Sequence, residues 1–142
     1  MRLRPRTYAF TAVTHQRHRI FQKTTTAELM ISTLFRYRDA TKFQLHGFVV
    51  MPDHIHVLLT PTESIEKSAQ LIKGGFSFTI RNEHPGLLWQ DDYHEHRIRD
   101  TEDFCNQLLY IANNPIRRQY NAYPHVHTKY TDRLDAAPPH LT

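Results

Sequence analysis

The sequence predicts an α+β domain, one antiparallel sheet with helices on one face and an additional C-terminal helix. Three observations lead there. Short runs rich in β-branched and aromatic residues alternate with runs whose apolar residues recur at helical spacing. Two of the strand-like runs are joined only by Met51-Pro52-Asp53, which reads as a hairpin. A chain of 142 residues, 39% hydrophobic and 23% charged, suits one domain with a real core rather than two small ones.

The elements follow in order. Residues 7–13, TYAFTAV, have strand composition. The threonines at 24–26 can cap a helix over 26–38, whose Ala27, Met30, Ile31 and Leu34 share a face. Residues 43–50 and 54–60 form the hairpin strands, and Pro61 ends the second. Thr62 or Ser64 can cap the next helix, with Ile65, Ala69, Ile72, Phe76 and Ile80 inward and Gly74-Gly75 as its weakest point. Residues 82–91 read as a loop anchored by Trp89, and 93–98 as a fourth strand. Asp100 or Thr101 caps a last helix with Glu102 and Asp103 in its first turn, and Pro115 is expected to end or kink it. Residues 1–118 thus make the domain, and 119–142 a polar, loosely held tail. The order β-α-β-β-α-β is that of a ferredoxin-like sheet, with one face left open for a ligand.

Composition excludes several classes. No stretch has the apolar length needed to span a bilayer, and the basic N-terminus lacks the apolar region of a secretory signal. The single cysteine, Cys105, rules out an internal disulfide framework, fits a reducing cytoplasm, and reads as a small hydrophobe on a helix face. Eighteen Lys and Arg against fourteen Asp and Glu give +4, a balance that permits a polyanionic partner without demanding one. The eleven histidines are the odder feature.

Two His-x-His pairs stand out. His54 and His56 lie two apart on a predicted strand, so both imidazoles project to one side while Ile55 turns to the core. Neutral imidazoles so placed suit a divalent metal. His94 and His96 have the same spacing, but their charged flanks suggest an edge strand, so they are expected at the rim. In the last helix, Phe104, Cys105, Leu108, Leu109, Ile111 and Ala112 are expected to share the apolar face. Tyr110 then falls on the polar face with Asn114 one turn on, an arrangement suited to an exposed nucleophile with a metal or phosphate partner. Arginines are spread along the chain. Arg4, Arg6, Arg17, Arg97, Arg99 and Arg117, with Lys73 from the second helix, are candidates for a phosphate backbone, and His15 for base stacking.

At this point four stretches, in order, resemble one family. FVVMPDHIHVLLTP resembles the strand of the HUH (His-hydrophobic-His) nucleases, in the form carried by REP-associated tyrosine transposases. IKGGFSFTIRNE resembles their second helix, LLWQDDYHEHRIRD their tryptophan loop and next strand, and YIANNPIRR their tyrosine helix. The resemblance covers about residues 7–118. Asp53 departs from it, standing where asparagine is commoner and adding an outer-shell charge; the continuation IRRQYNAYPHVHTKY departs as well.

The resemblance implies a metal-dependent transposase-type endonuclease. It would bind single-stranded DNA hairpins, like repetitive extragenic palindromes, and cleave and rejoin strands through a 5′-phosphotyrosine. His54 and His56 would hold Mg²⁺ or Mn²⁺ with Asn114 as third ligand, and Tyr110 would be the catalytic nucleophile. Related transposases can use the tyrosine helix in trans, so a homodimer is one working form. The implied location is cytoplasmic, at the nucleoid. The alternative is a domesticated, non-catalytic hairpin-binding regulator. A replication or conjugation initiator with the same site would need a larger chain, and a small-substrate hydrolase would need an acid or base, for which Glu95 is the candidate.

Overall fold

A computed structural model describes residues 5–120 and 123–141. Its main elements are β1 (Tyr8–Val13), α1 (Thr24–Asp39), β2 (Phe43–Met51), β3 (His54–Pro61), α2 (Ile65–Thr79), β4 (His94–Arg97) and α3 (Thr101–Arg117). The strands form one antiparallel sheet in the order β2-β3-β1-β4. This is the expected ferredoxin-like α+β arrangement. The two helix starts left open by the sequence resolve onto Ser64 and Asp100. Ser64 accepts from the Lys67 N–H at 3.1 Å, and Asp100 from the Asp103 N–H at 2.8 Å.

Alternation along the strands sorts the residues into two layers. Phe10, Ala12, Phe48, Val50, Ile55, Val57 and Leu59 pack with α1 and α2 in an apolar core. Trp89 anchors its loop there, between Phe21 and Phe76, and its indole N–H donates to the Lys73 carbonyl at 3.1 Å. β2 contributes Phe43 and Leu45 and then, out of strict alternation, Phe48 and Val50. The register shift between Leu45 and Gly47 accounts for this: the extra residue, His46, resets which side chains face inward. Gly75 is where α2 meets α1, since a Cβ there would collide with the Tyr37 phenol.

The opposite layer is smaller: Val49, Met51, Leu58, Ile98, Phe104, Ile111, Val126 and Leu141. It is covered by α3 and by the C-terminal segment, so this face is less open than the sequence suggests. The segment is polar, but the expectation of loose attachment is corrected. The Val50 N–H donates to the His125 carbonyl at 2.8 Å, and Val126 bridges Val49 along the β2 edge. Asp135 pairs with Arg38 at 2.9 Å and accepts the Leu45 N–H at 2.8 Å. Thr101 donates to the Leu141 carbonyl at 2.8 Å.

Two expectations about α3 are also corrected. The helix runs through Pro115 to Arg117: the proline forfeits the N–H bond to the Ile111 carbonyl, but only the last turn lies beyond it and its ring is buried. The packed face is Phe104, Ile111, Asn114 and Pro115, with Leu108 half-buried. Cys105 is exposed, and so is Leu109 at 60%. Six apolar residues span more arc than one helix face can bury, and the helix has turned to bring Asn114 inward with Phe104.

Candidate active site

The second layer holds the candidate site. His54 and His56 project from β3 toward α3, with their ring centroids 4.9 Å apart. Each is fixed through Nδ1. His54 Nδ1–H donates to the Asp53 carboxylate at 2.7 Å, since a carboxylate can only accept. His56 Nδ1 shares a 2.7 Å hydrogen bond with the Thr11 hydroxyl. Thr11 is its register partner on β1, so the pair follows directly from strand alignment. Both histidines are held neutral at physiological pH. Burial lowers His54, and Arg118 and Arg17 add to this against the opposing pull of Asp53. Burial, His54 and Arg118 push His56 down to about 3. Burial alone would raise Asp53, but hydrogen bonds and charge from His54 and Arg17 hold its carboxyl below the usual range.

The donor chemistry fits a divalent cation. Two neutral imidazoles, each steadied at Nδ1 by a hydroxyl or carboxylate, leave their Nε2 atoms for a metal. Among the described residues no cluster of three His, Cys, Asp or Glu exists. A third protein ligand would therefore be an amide or a hydroxyl. Asn114 is buried on the helix that covers the pair.

Tyr110 stands beside them, its ring edge-on to His56 with centroids 5.6 Å apart. It is 41% exposed, which leaves the phenol accessible. Arg117 lies over the same ring at 4.8 Å from the centroid. Tyr110, Asn114 and Arg118 follow at i, i+4 and i+8, and the charge of Arg118 is felt by both histidines. The sequence separates Tyr110 and Asn114 from the apolar face; the structure places Asn114 within it and Tyr110 at its margin.

The candidate phosphate contacts divide into two groups. Arg17 reaches Asp53 at 3.3 Å, and His15 follows β1 at the same end of the sheet. With Arg117 these surround the histidine end. Arg97 pairs with Tyr8, whereas His54 pairs with Val13, so about 17 Å of strand separates them. Arg6 and Arg99 belong to that far end, where the Arg99 N–H donates to Asp103 at 3.0 Å. Lys73 is engaged by the Gln90 and Asp91 carbonyls at 2.8 and 3.2 Å. Arg4 lies outside the described residues. Thr11 and Arg118 are the participants that the sequence reading missed, and strand register and the i+4 rule are the signals that find them.

Comparison with known proteins bears on the family and the fold. The family model described as "Transposase IS200 like" matches residues 5–114. A REP-associated tyrosine transposase of Escherichia coli K12 is 26% identical over 97 residues, 66% of this chain and 57% of the relative. A Haemophilus influenzae relative of the same description is 29% identical over 92 residues, 55% of this chain and 52% of the relative. The chain therefore spans about half the length of these curated relatives. A solved REP-associated tyrosine transposase bound to a REP hairpin superposes with a TM-score of 0.77 at 20% identity, covering 91% of this chain and 80% of that one. At that identity the superposition speaks for the fold. With the family model spanning most of the chain, the protein belongs to the IS200-like transposase family.

Proposed function

We propose that this protein binds single-stranded DNA hairpins and cleaves and rejoins strands through Tyr110. The observation that carries the reading is the meeting of three side chains: His54 against His56 at 4.9 Å, and His56 against the accessible Tyr110 at 5.6 Å. A core-filling tyrosine has no need of two neutral histidines, and a structural histidine pair has no need of an accessible phenol beneath an arginine.

His54, His56 and Asn114 would hold Mg²⁺ or Mn²⁺, and the bound ion would supply Lewis-acid polarisation of the scissile phosphate. The rest falls to the protein. Asp53, which can only accept, keeps His54 in the ligating tautomer, and Thr11 orients the His56 ring, accepting from its Nδ1–H when Nε2 ligates. Arg117 and Arg118 offset the phosphate charge at the end of the helix that presents the nucleophile. The Tyr110 oxygen forms a bond to phosphorus as its proton is lost to solvent. The bond to the 3′ oxygen breaks, and that oxygen takes up a proton. The products are a 5′-phosphotyrosine and a free 3′-hydroxyl. The phosphodiester energy is kept, so a second 3′-hydroxyl can reverse the step and join strands without a nucleotide cofactor.

The test is incubation with hairpin oligonucleotides and Mn²⁺, resolved on a denaturing protein gel. An EDTA-sensitive shifted band that disappears in Tyr110→Phe is expected, with hairpin binding retained. A band that survives Tyr110→Phe would move the nucleophile elsewhere. Native binding without any covalent band would favour a regulator that only binds hairpins.

A further inference from the structure

A cleft of about 230 Å³ opens beside Tyr110 between β1, β4 and α3; it borders His56 and Thr11 but extends past them to residues with no part in the mechanism above. Its floor is apolar, with Ala9 and Ile111, and its walls are Tyr110, His94, His96 and Gln107. Thr11 pairs with both His56 and His94, so the second His-x-His pair faces the same side of the sheet as the first. His96 is immobilised, its Nε2 shared with the Asp103 carboxylate at 2.9 Å. Asp103 in turn accepts the Arg99 N–H at 3.0 Å.

Charge distinguishes this cleft from the histidine end of the site. Arg17, Arg117 and Arg118 gather around His54 and Tyr110, whereas no Lys or Arg is among the described residues lining the cleft. Glu95 borders it from the other face of the strand, since its register partner is Phe10 of the opposite core, so no carboxylate among the described lining residues faces the cleft. A phosphate seeks cations; a planar base seeks an apolar floor, an aromatic or imidazole wall, and neutral donors and acceptors at its edge. The cleft also falls below the roughly 300–1,000 Å³ of sites for drug-sized ligands, which suits a single base.

We propose that the cleft takes the unstacked base of a nucleotide adjoining the scissile phosphate, with His94 and Gln107 reading its polar edge. The inference rests on Tyr110 as nucleophile. Its ring is both a wall of the cleft and the attacking group, so seating the base sets the phosphate against the phenol. His94 and Gln107 are then specificity residues for the base next to the cut.

The experiment uses a hairpin that the wild-type protein captures covalently. The nucleotides on either side of the cleaved bond are varied through the four bases and an abasic site. Single-turnover capture should favour one base by roughly tenfold, with the abasic site as poor as the worst base. His94→Ala and Gln107→Ala should flatten that ranking to about twofold. Gln107→Glu, which keeps the side-chain shape, should reorder the preference, and circular dichroism checks that all three variants fold. Variants that keep the wild-type ranking, or slow all four substrates equally, would overturn the inference. A wild-type adduct lost in Tyr110→Phe but indifferent to the neighbouring base would overturn it while leaving the mechanism standing. No adduct with any oligonucleotide would overturn both.

Discussion

The two faces of the sheet are built differently. Toward α1 and α2 the packing is aromatic and dry: Phe10, Phe21, Phe35, Phe48 and Phe76 are all essentially buried, with Trp89 among them. Toward α3 the apolar cluster is smaller and shares its space with His46, His54, His56, His125 and His127. Such a layer is a poor source of hydrophobic stability and a good place to hold neutral imidazoles near a phenol. One face holds the fold, and the other carries the side chains of the proposed chemistry.

The sharpest way to break this division is His56→Ala. It should reduce covalent capture by more than about 100-fold, beyond the loss usual for supporting residues around a metal, with the urea midpoint almost unmoved. A large loss of stability would show that the histidine is a structural member. The mirror experiment is Phe76→Ala, which should cost about 3–5 kcal/mol in urea unfolding and, below its midpoint, leave single-turnover capture near wild type. Asp53→Asn is subtler. The amide can still accept from His54 but brings no charge, so Mn²⁺ affinity should fall roughly 10-fold with little change in melting temperature. Unchanged affinity would reduce Asp53 to a partner of Arg17.

Acid should produce the smallest and most selective effect. Burial lowers His46, His54, His56, His125 and His127 below the ordinary imidazole value. The unfolded chain then binds protons more readily than the folded one. Their contribution is therefore complete above about pH 6.5 and is lost as pH falls toward the folded values. Each such histidine forfeits at most about 1.4 kcal/mol per pH unit in that window. Hydrogen-exchange protection, corrected for intrinsic rates, should weaken in α3 and residues 125–129 at pH 5.5 before it weakens in α1. Uniform weakening would contradict the two-faced account.

Local rules made much of this legible. Strand alternation put His54 and His56 on one side with Ile55 opposite, and the hairpin is held by the Met51-Pro52-Asp53 link. Ser64 and Asp100 cap where short oxygen-bearing side chains were expected. The order of the elements sufficed for the topology. What escaped was tertiary. The rotation of α3 is chosen by what lies beneath it, and its helical arc offers two apolar stripes of similar strength. The one carrying Phe104 and Ile111 packs, leaving Leu109 and Ile116 outward at 60% and 64% exposure. The described C-terminal residues lack periodicity because their elements are single 3-10 turns, too short to repeat a pattern. They lie along β2, where the partner supplies the pattern.

That C-terminal segment bears on edge-to-edge adhesion between chains. An open sheet has two free borders, each a template for adhesion to another chain. On the β4 side the border is four residues long, His-Glu-His-Arg, all exposed and mostly polar or charged, which discourages stacking. β2 has nine residues and is almost wholly buried, a hazardous border if left bare. The bonds from Val50 to His125 and from Leu45 to Asp135 occupy it from within the same chain. A chain that lost this covering would keep α1, α2 and the His54–His56 pair, and would meet its neighbours with a long apolar hem.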